Sequence, residues 1–296
     1  MTLDRRDFLK SAGAIGALAT GGCAPDPTTT PARTLGTGLA RGLTLLSFRE
    51  GNLDRLGAKT AKGILDVARA ADLLRLYAPL VRRPDTIVCV GLNYRRHAEE
   101  VGTAIPAHPV HFNKFNASLN SHRGTVALPV DLATQCDYEV ELVIVIERPA
   151  KRVAEAEAEA LSYVAGYAAG NDVTARDLKN GRGGQCMVGK ALDGFAPIGP
   201  YLVTADQVDP HNLTIECRVN GETRQSSSTS DFIFGARQMV SYISQCFTLE
   251  PGDLIFTGTP AGVIRGMAPD RRPWLKPGDT VACSVQGLGE LALTLT

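Results

Sequence analysis

The segment "DYEVELVIVI" (Asp137–Ile146) sets the strongest limit on what this chain can fold into. Side chains alternate between the two faces of a strand. Asp137, Glu139, Glu141, Val143 and Val145 therefore share one face, and Tyr138, Val140, Leu142, Ile144 and Ile146 share the other. Both faces turn apolar toward the C-terminal end, which predicts a strand covered on both sides. A carboxylate taken out of water without a partner is very costly. Any fold that buries this strand must bring positive charge to it.

The 296 residues suffice for one large domain or two smaller ones, and 44% hydrophobic with 21% charged side chains is ordinary globular composition. The 31 basic and 31 acidic residues cancel, so nucleic acid is not expected as a partner, nor an anionic membrane. No apolar run reaches the ~20 residues that a membrane span needs.

The N-terminus "RRDFLKSAGAIGALATGGCA" pairs Arg5 with Arg6 and continues through Phe8, Leu9 and Lys10 into a weakly apolar Ala/Gly stretch. It resembles a twin-arginine export signal. The expectation is a signal peptide over residues 1–24, passage through the twin-arginine machinery and a periplasmic destination. Cleavage after Ala24 is preferred to lipidation at Cys23, because Thr20 suits a lipoprotein site poorly. Residues 25–36, "PDPTTTPARTLG", read as an extended Pro/Thr linker. The six cysteines beyond Cys23 form no C-x-x-C pair and several sit in apolar runs, so buried free thiols are expected.

Residues 37–82 read as a small N-terminal cap of two strands and a helix from about Leu65 to Tyr77. The main domain starts at residue 83, with a strand over Thr86–Val90 and many short β segments after it. "RVNGETR" is a hairpin with Asn220-Gly221 as a type I′ turn. Helices are few, at Val153–Ala160, Thr174–Lys179 and Phe234–Ser244. The fold class is α+β and β-rich.

Glu139 and Glu141 stand at i and i+2, about 6.6–7 Å apart at Cα in a strand. Asp172 closes another apolar run, "AAGNDVTARD". Three carboxylates without histidine or cysteine partners suit a hard ion, Mg²⁺ or Mn²⁺, over zinc. The alternative is a set of structural ion pairs with Arg148 and Arg176. In "GLNYRRHAEEVG", a short helix puts His97 and Glu100 on one face. A carboxylate beside an imidazole fixes its tautomer and suits a general base acting on water, although a solvated helix face shows the same spacing. Lys190 is a lone lysine in a Gly/apolar setting. "FTGTP" offers backbone N–H groups and the Thr257 and Thr259 hydroxyls to an anion.

The ordered series "VGLNYRRHAEE", "FNKFNASL", "DYEVELVIVI", "GYAAGNDVTARDL", "GKALDGFAPIGP", "VNGE", "PGDLIFTGTPAGV" and "LKPGDTV…GLGEL" resembles the fumarylacetoacetate hydrolase family, over Arg41 to Leu293. The resemblance implies a mixed β-sandwich roll over residues 83–296 and a homodimer. It implies Mg²⁺ or Mn²⁺ on Glu139, Glu141 and Asp172, a lid pair of His97 and Glu100, and an active-site lysine at Lys190. Substrate binding would fall to Lys114, Ser118 and Thr259. The implied activity is hydrolysis of a C–C bond in a small β-diketo or 2-oxo acid of the acylpyruvate type. Decarboxylation, isomerisation or hydration on the same site is the alternative, as is a non-catalytic family member that binds metal and ligand. Departures from the family pattern fall in the lysine segment, where Cys186, Ala191 and Gly194 stand; they bear on the substrate rather than on the metal.

Overall fold

A computed structural model describes residues 44–50, 53–60, 63–66, 84–156 and 160–296. Its centre is the Val140–Ile146 strand, buried at every residue. The strand pairs antiparallel with Val164–Asn171 on one side and Leu254–Phe256 on the other. The two-residue period predicts its surroundings correctly. Tyr138, Val140, Leu142, Ile144 and Ile146 enter the main core, whereas Val143 and Val145 enter a second core with Ile87, Cys89, Leu254 and Phe256. Burying each large aliphatic side chain contributes about 1.5–3 kcal/mol. The neighbouring strand can lie close because Gly170 faces this row: a Cβ there would come within 2.6 Å of Val143 Cγ2.

Among the described residues the larger sheet has eleven strands. Its main path runs Gly63–Asp66, Leu53–Thr60, Thr44–Glu50, Tyr201–Thr204, Val164–Asn171, Val140–Ile146, Leu254–Phe256, Ile87–Gly91 and Val110–Lys114. A second sheet runs Glu222–Ser228, Thr214–Val219, Thr280–Val285, Gly289–Leu295 and Thr125–Val126. Alternate residues of this sheet, including Ile215, Cys217, Val281, Cys283 and Leu291, point into the main core. The Ala236–Cys246 helix adds Met239, Val240 and Ile243 to it. The architecture is the β-rich mixed sandwich expected, with four α-helices among the described residues. Asn220 and Gly221 carry φ of 51° and 83°, as a type I′ hairpin turn requires.

Several elements differ from expectation. Leu65 and Asp66 belong to a strand paired with Leu53–Thr60, not to a helix; the rest of the expected Leu65–Tyr77 helix lies outside the described residues. The strands of the 37–82 region extend the edge of the large sheet, Thr44–Glu50 pairing with Tyr201–Thr204. Val153 is not helical: its N–H donates to Ser244 Oγ and its carbonyl accepts from Ser241 Oγ, so the long helix takes the backbone groups a local helix would use. Thr174–Ala175 is a short strand against Cys136–Asp137, and the helix starts at Arg176. The expected leader (residues 1–24) and linker (residues 25–36) lie outside the described residues.

Cysteines 89, 136, 186, 217, 246 and 283 are free; Cys186 is half-buried, Cys246 exposed and the others buried. Burial, then Asp177 and Asp137, pushes the Cys136 thiol up to about 12, leaving roughly 10⁻⁴ of it as thiolate at pH 8. Alkylation of the native protein at pH 8 with peptide mass mapping should label Cys246 first and Cys186 more slowly. The four buried thiols should react only after denaturation; rapid labelling of Cys136 would mean that the main core opens there.

Candidate metal centre and active site

Strand register assembles the acids. Asn171 faces Val140 and Gly170 faces Glu141, so Asp172 falls beside Glu139. Two hydrogen bonds lock that juxtaposition: Asp172 N–H donates to the Glu139 carbonyl at 2.8 Å, and Glu139 N–H donates to Asn171 Oδ1 at 2.9 Å. One carboxylate oxygen from each of Glu139, Glu141 and Asp172 lies within 4.8 Å of the others, and all three residues are buried.

Three buried cations answer the question the sequence poses. Arg176 Nη2 contacts Asp137 Oδ2 at 2.8 Å and Glu139 Oε1 at 2.6 Å, while its Nε donates to Asp137 at 2.9 Å. Lys190 Nζ bridges Glu139 Oε2 and Asp172 Oδ2. Lys114 Nζ lies 2.6 Å from Asp172 Oδ1 but donates to the carbonyls of Val173, Lys190 and Phe195. An ammonium has three N–H groups, and with three carbonyls claiming them its attraction to Asp172 is electrostatic. Both readings of the acids thus have a basis, because ion pairs and a metal-sized carboxylate cluster share the same residues.

Four buried acids then face three buried cations, and Glu141 is the acid left over. It accepts Gly258 N–H at 2.8 Å and no cation pairs with it among the described residues. Burial, then Asp172 and Glu139, pushes the Glu141 carboxyl well above the usual carboxylate range. Burial acts on Glu139 in the same direction, but Arg176 and then Lys190 outweigh it and hold that carboxyl far below the usual range. Burial alone would weaken the Lys190 ammonium; Asp172 and Glu139 reverse this and keep it charged. The cluster therefore lacks one positive charge, next to Glu141. An all-oxygen, buried, net-anionic donor set fits a hard divalent ion such as Mg²⁺ or Mn²⁺.

His97 lies on the Arg95–Glu100 helix with Nδ1 2.9 Å from Glu100 Oε2. With the carboxylate accepting from Nδ1–H, Nε2 is the nitrogen free to take a proton. Glu100 Oε1 accepts Gly262 N–H at 2.8 Å. The carboxylate also fills the space over Gly266, where a Cβ would come within 2.3 Å of Glu100 Cδ.

The segment 257–265, legible in the sequence only as a possible anion loop, is a backbone clamp. Gly258 N–H holds Glu141, Gly262 N–H holds Glu100, and the N–H groups of Ile264 and Arg265 hold Asp137. The Thr259 hydroxyl donates to the Val140 carbonyl and accepts from Gln225 Nε2, and Thr257 donates to the Leu142 carbonyl. Ser118 Oγ is buried without a hydrogen-bond partner among the described residues. Sequence reading assigned no role to Asp137 and treated Arg176 only as a structural partner; the same-face spacing of Asp137, Glu139 and Glu141 was the available signal.

The family described as fumarylacetoacetate (FAA) hydrolase, C-terminal, matches residues 86–296. The mitochondrial oxaloacetate tautomerase of Rattus norvegicus is 42% identical over 210 residues, which is 71% of this chain and 66%, just under two thirds, of the rat protein. The structure of fumarylacetoacetate hydrolase from Exiguobacterium antarcticum superposes with a TM-score of 0.76 at 34% identity, covering 86% of this chain and 99% of that one. Fumarylpyruvate hydrolase from Pseudomonas aeruginosa, in complex with Mn²⁺ and pyruvate, gives a TM-score of 0.64 at 33% identity, covering 75% and 99%. The oxaloacetate tautomerases of rat, cow and human are named as mitochondrial. That overturns the periplasmic destination. Arginines near an N-terminus occur in organelle transit segments as well as in export signals, so the Arg5–Arg6 pair does not specify a compartment.

Replacing Lys190 by Met would strip Glu139 and Asp172 of a shared ammonium, which should destabilise the metal-free protein by roughly 3–5 kcal/mol. Saturating Mn²⁺ should restore part of the loss, read as Tm in chelator and in Mn²⁺. A Tm unchanged in both would remove the charge-balance account. The raised Glu141 carboxyl also carries a sign. Its proton stabilises the metal-free fold at low pH, and that contribution fades as pH rises through the raised value. The proton must leave before ligation, so Mn²⁺ affinity should climb with pH above the ordinary carboxylate range, and calorimetry at several pH values measures this.

Proposed function

The chain belongs to the fumarylacetoacetate hydrolase family, and from that premise we propose that it is a metal-dependent enzyme that interconverts the keto and enol forms of a 2-oxo acid. One observation carries the reading: a single backbone clamp holds both an acid of the cation cluster, Glu141, and the carboxylate that orients His97. A Lewis-acid position and a base are thereby fixed to each other, as proton abstraction next to a carbonyl requires. Tautomerase activity in the rat relative supports this isomerase reading over the C–C hydrolysis expected from the sequence.

Glu139, Glu141 and Asp172 would hold the ion, which when bound acts as a Lewis acid toward the 2-oxo group. His97 takes the proton from C3 through Nε2. Glu100 keeps Nδ1 protonated, so that the base presents one nitrogen only, and Gly262 keeps Glu100 in place. Lys190 spends two of its three N–H groups on Glu139 and Asp172. The third is available to the oxygen on which negative charge develops. Return of the proton to oxygen gives the enol, and return to C3 gives the keto form.

The test uses protein loaded with Mn²⁺ and oxaloacetate, following the enol absorbance and C3 hydrogen–deuterium exchange by NMR. Exchange should exceed the buffer rate, and His97→Asn should lower it by about 10²–10⁴-fold with bound Mn²⁺ unchanged. Exchange at the buffer rate would end the proposal, and release of pyruvate from an acylpyruvate under the same conditions would reinstate the hydrolase.

A further inference from the structure

The edge strand Val110–Lys114 turns one of its faces toward Lys190. It pairs antiparallel with Ile87–Gly91, with Phe112 opposite Cys89 and Lys114 opposite Ile87. Residues two apart share a strand face, and directly opposite residues lie on the same side of the sheet. Phe112 and Lys114 therefore stand together on the side where Ile87 and Cys89 enter the second core. Both reach Lys190. The Lys114 ammonium donates to the Lys190 carbonyl, and the Lys190 ammonium lies over the Phe112 ring, 5.0 Å from its centroid. One strand face thus holds the backbone of Lys190 with a cation and meets the head of its side chain with an aromatic ring.

An ammonium has three N–H groups, and Lys190 gives two of them to Glu139 and Asp172. The residue is buried, which withdraws the third from water. The face of a phenyl ring carries the negative part of its quadrupole and attracts a cation placed over it within about 6 Å. It is also a far weaker acceptor than a charged oxygen. A ring at this place sets the direction of the ammonium, yet gives up the N–H to an oxygen that brings negative charge.

We propose that Phe112 is a positioning residue: its ring holds the third N–H of Lys190 away from the protein carboxylates before substrate binds and releases it to the substrate oxygen on which charge develops. The inference rests on the reading of Lys190 as the donor to that oxygen. A leucine at this position keeps a bulky apolar side chain but has no π-face, so the ammonium loses the contact that sets its direction. The N–H meets the full negative charge only in the transition state, so the loss falls on kcat more than on KM.

The test compares Phe112→Leu and Phe112→Tyr with wild type, all loaded with Mn²⁺. C3 exchange of oxaloacetate gives kcat and KM, and calorimetry gives Kd for oxalate, a planar analogue of the enolate of a 2-oxo acid. Phe112→Leu should lower kcat and weaken oxalate by about tenfold, the scale of one buried cation–π contact, with KM and bound Mn²⁺ close to wild type. Phe112→Tyr keeps the ring and should recover most of both. A third readout needs neither turnover nor a Phe112 variant. In wild-type protein carrying ¹³C at the lysine Cε, the Lys190 signal, identified by its absence from Lys190→Arg, should lie upfield through the ring current. Unchanged kcat in Phe112→Leu, a change confined to KM, no recovery by tyrosine, or an unshifted Lys190 signal would overturn the proposal. If wild type exchanges no oxaloacetate, the enolising reading fails, and the oxalate affinities with the Lys190 signal decide the role of Phe112 by themselves. Tm values separate a positioning effect from loss of the fold, and if Phe112→Leu does not fold, Phe112→Met, which also lacks a π-face, takes its place.

Discussion

Arg176 is the interaction on which the site depends. Its guanidinium lies between Asp137, at the end of the short Cys136–Asp137 strand, and Glu139, just ahead of the strand that carries Glu141. A planar, permanently charged group with five donors can serve two carboxylates at once and still lose little on burial. Without it, Asp137 and Glu139 would stand side by side in the interior with only Lys190 against them. Breaking such a pair by removing one partner costs about 3–5 kcal/mol, as much as two buried aliphatic side chains contribute. The strand can therefore keep its acids only because this helix supplies the countercharge.

The same strand divides the molecule. Its Val140, Leu142, Ile144 and Ile146 row knits the large sheet to the second sheet and to the Ala236–Cys246 helix, while Val143 and Val145 pack on the opposite side. The acids sit at the end where the two apolar rows stop. Being anchored in two cores gives the carboxylates a rigid base, and the 257–265 clamp fixes their oxygens from outside. Preorganised charge of this kind serves chemistry that moves protons next to a carbonyl, since little reorganisation remains to be done when charge develops.

Much of the fold was legible in local patterns. The two-residue period of "DYEVELVIVI" sorted its apolar side chains onto the two faces that the two cores cover, and Asn220-Gly221 specified its turn. Where reading failed, a tertiary partner had displaced the local one: Val153 gave its backbone groups to Ser241 and Ser244, and Leu65 joined a sheet edge. In the site, the three acids and the His97–Glu100 pair were visible because each lies within a short segment or ends a strand. The N-terminal arginine pair was overread, because paired arginines before a weakly apolar stretch describe a charge pattern and not a compartment.

By itself the sequence determined that the apolar run Val140–Ile146 would be a buried strand with Asp137, Glu139 and Glu141 at its head, because its period and apolar content allow nothing else. The structure breaks the expected Asp137–Ile146 strand at Tyr138–Glu139 and pairs Cys136–Asp137 with Thr174–Ala175 instead. The sequence also determined that compensating charge must exist. Only the tertiary structure decided which cations supply it, since Arg176, Lys190 and Lys114 come from three separate segments brought together by strand register and helix packing. Only the tertiary structure showed, too, that among the described residues Glu141 is held by Gly258 N–H and paired with no cation. Charge balance in an interior is a sum over neighbours in space, and neighbours in space are what a linear sequence does not record.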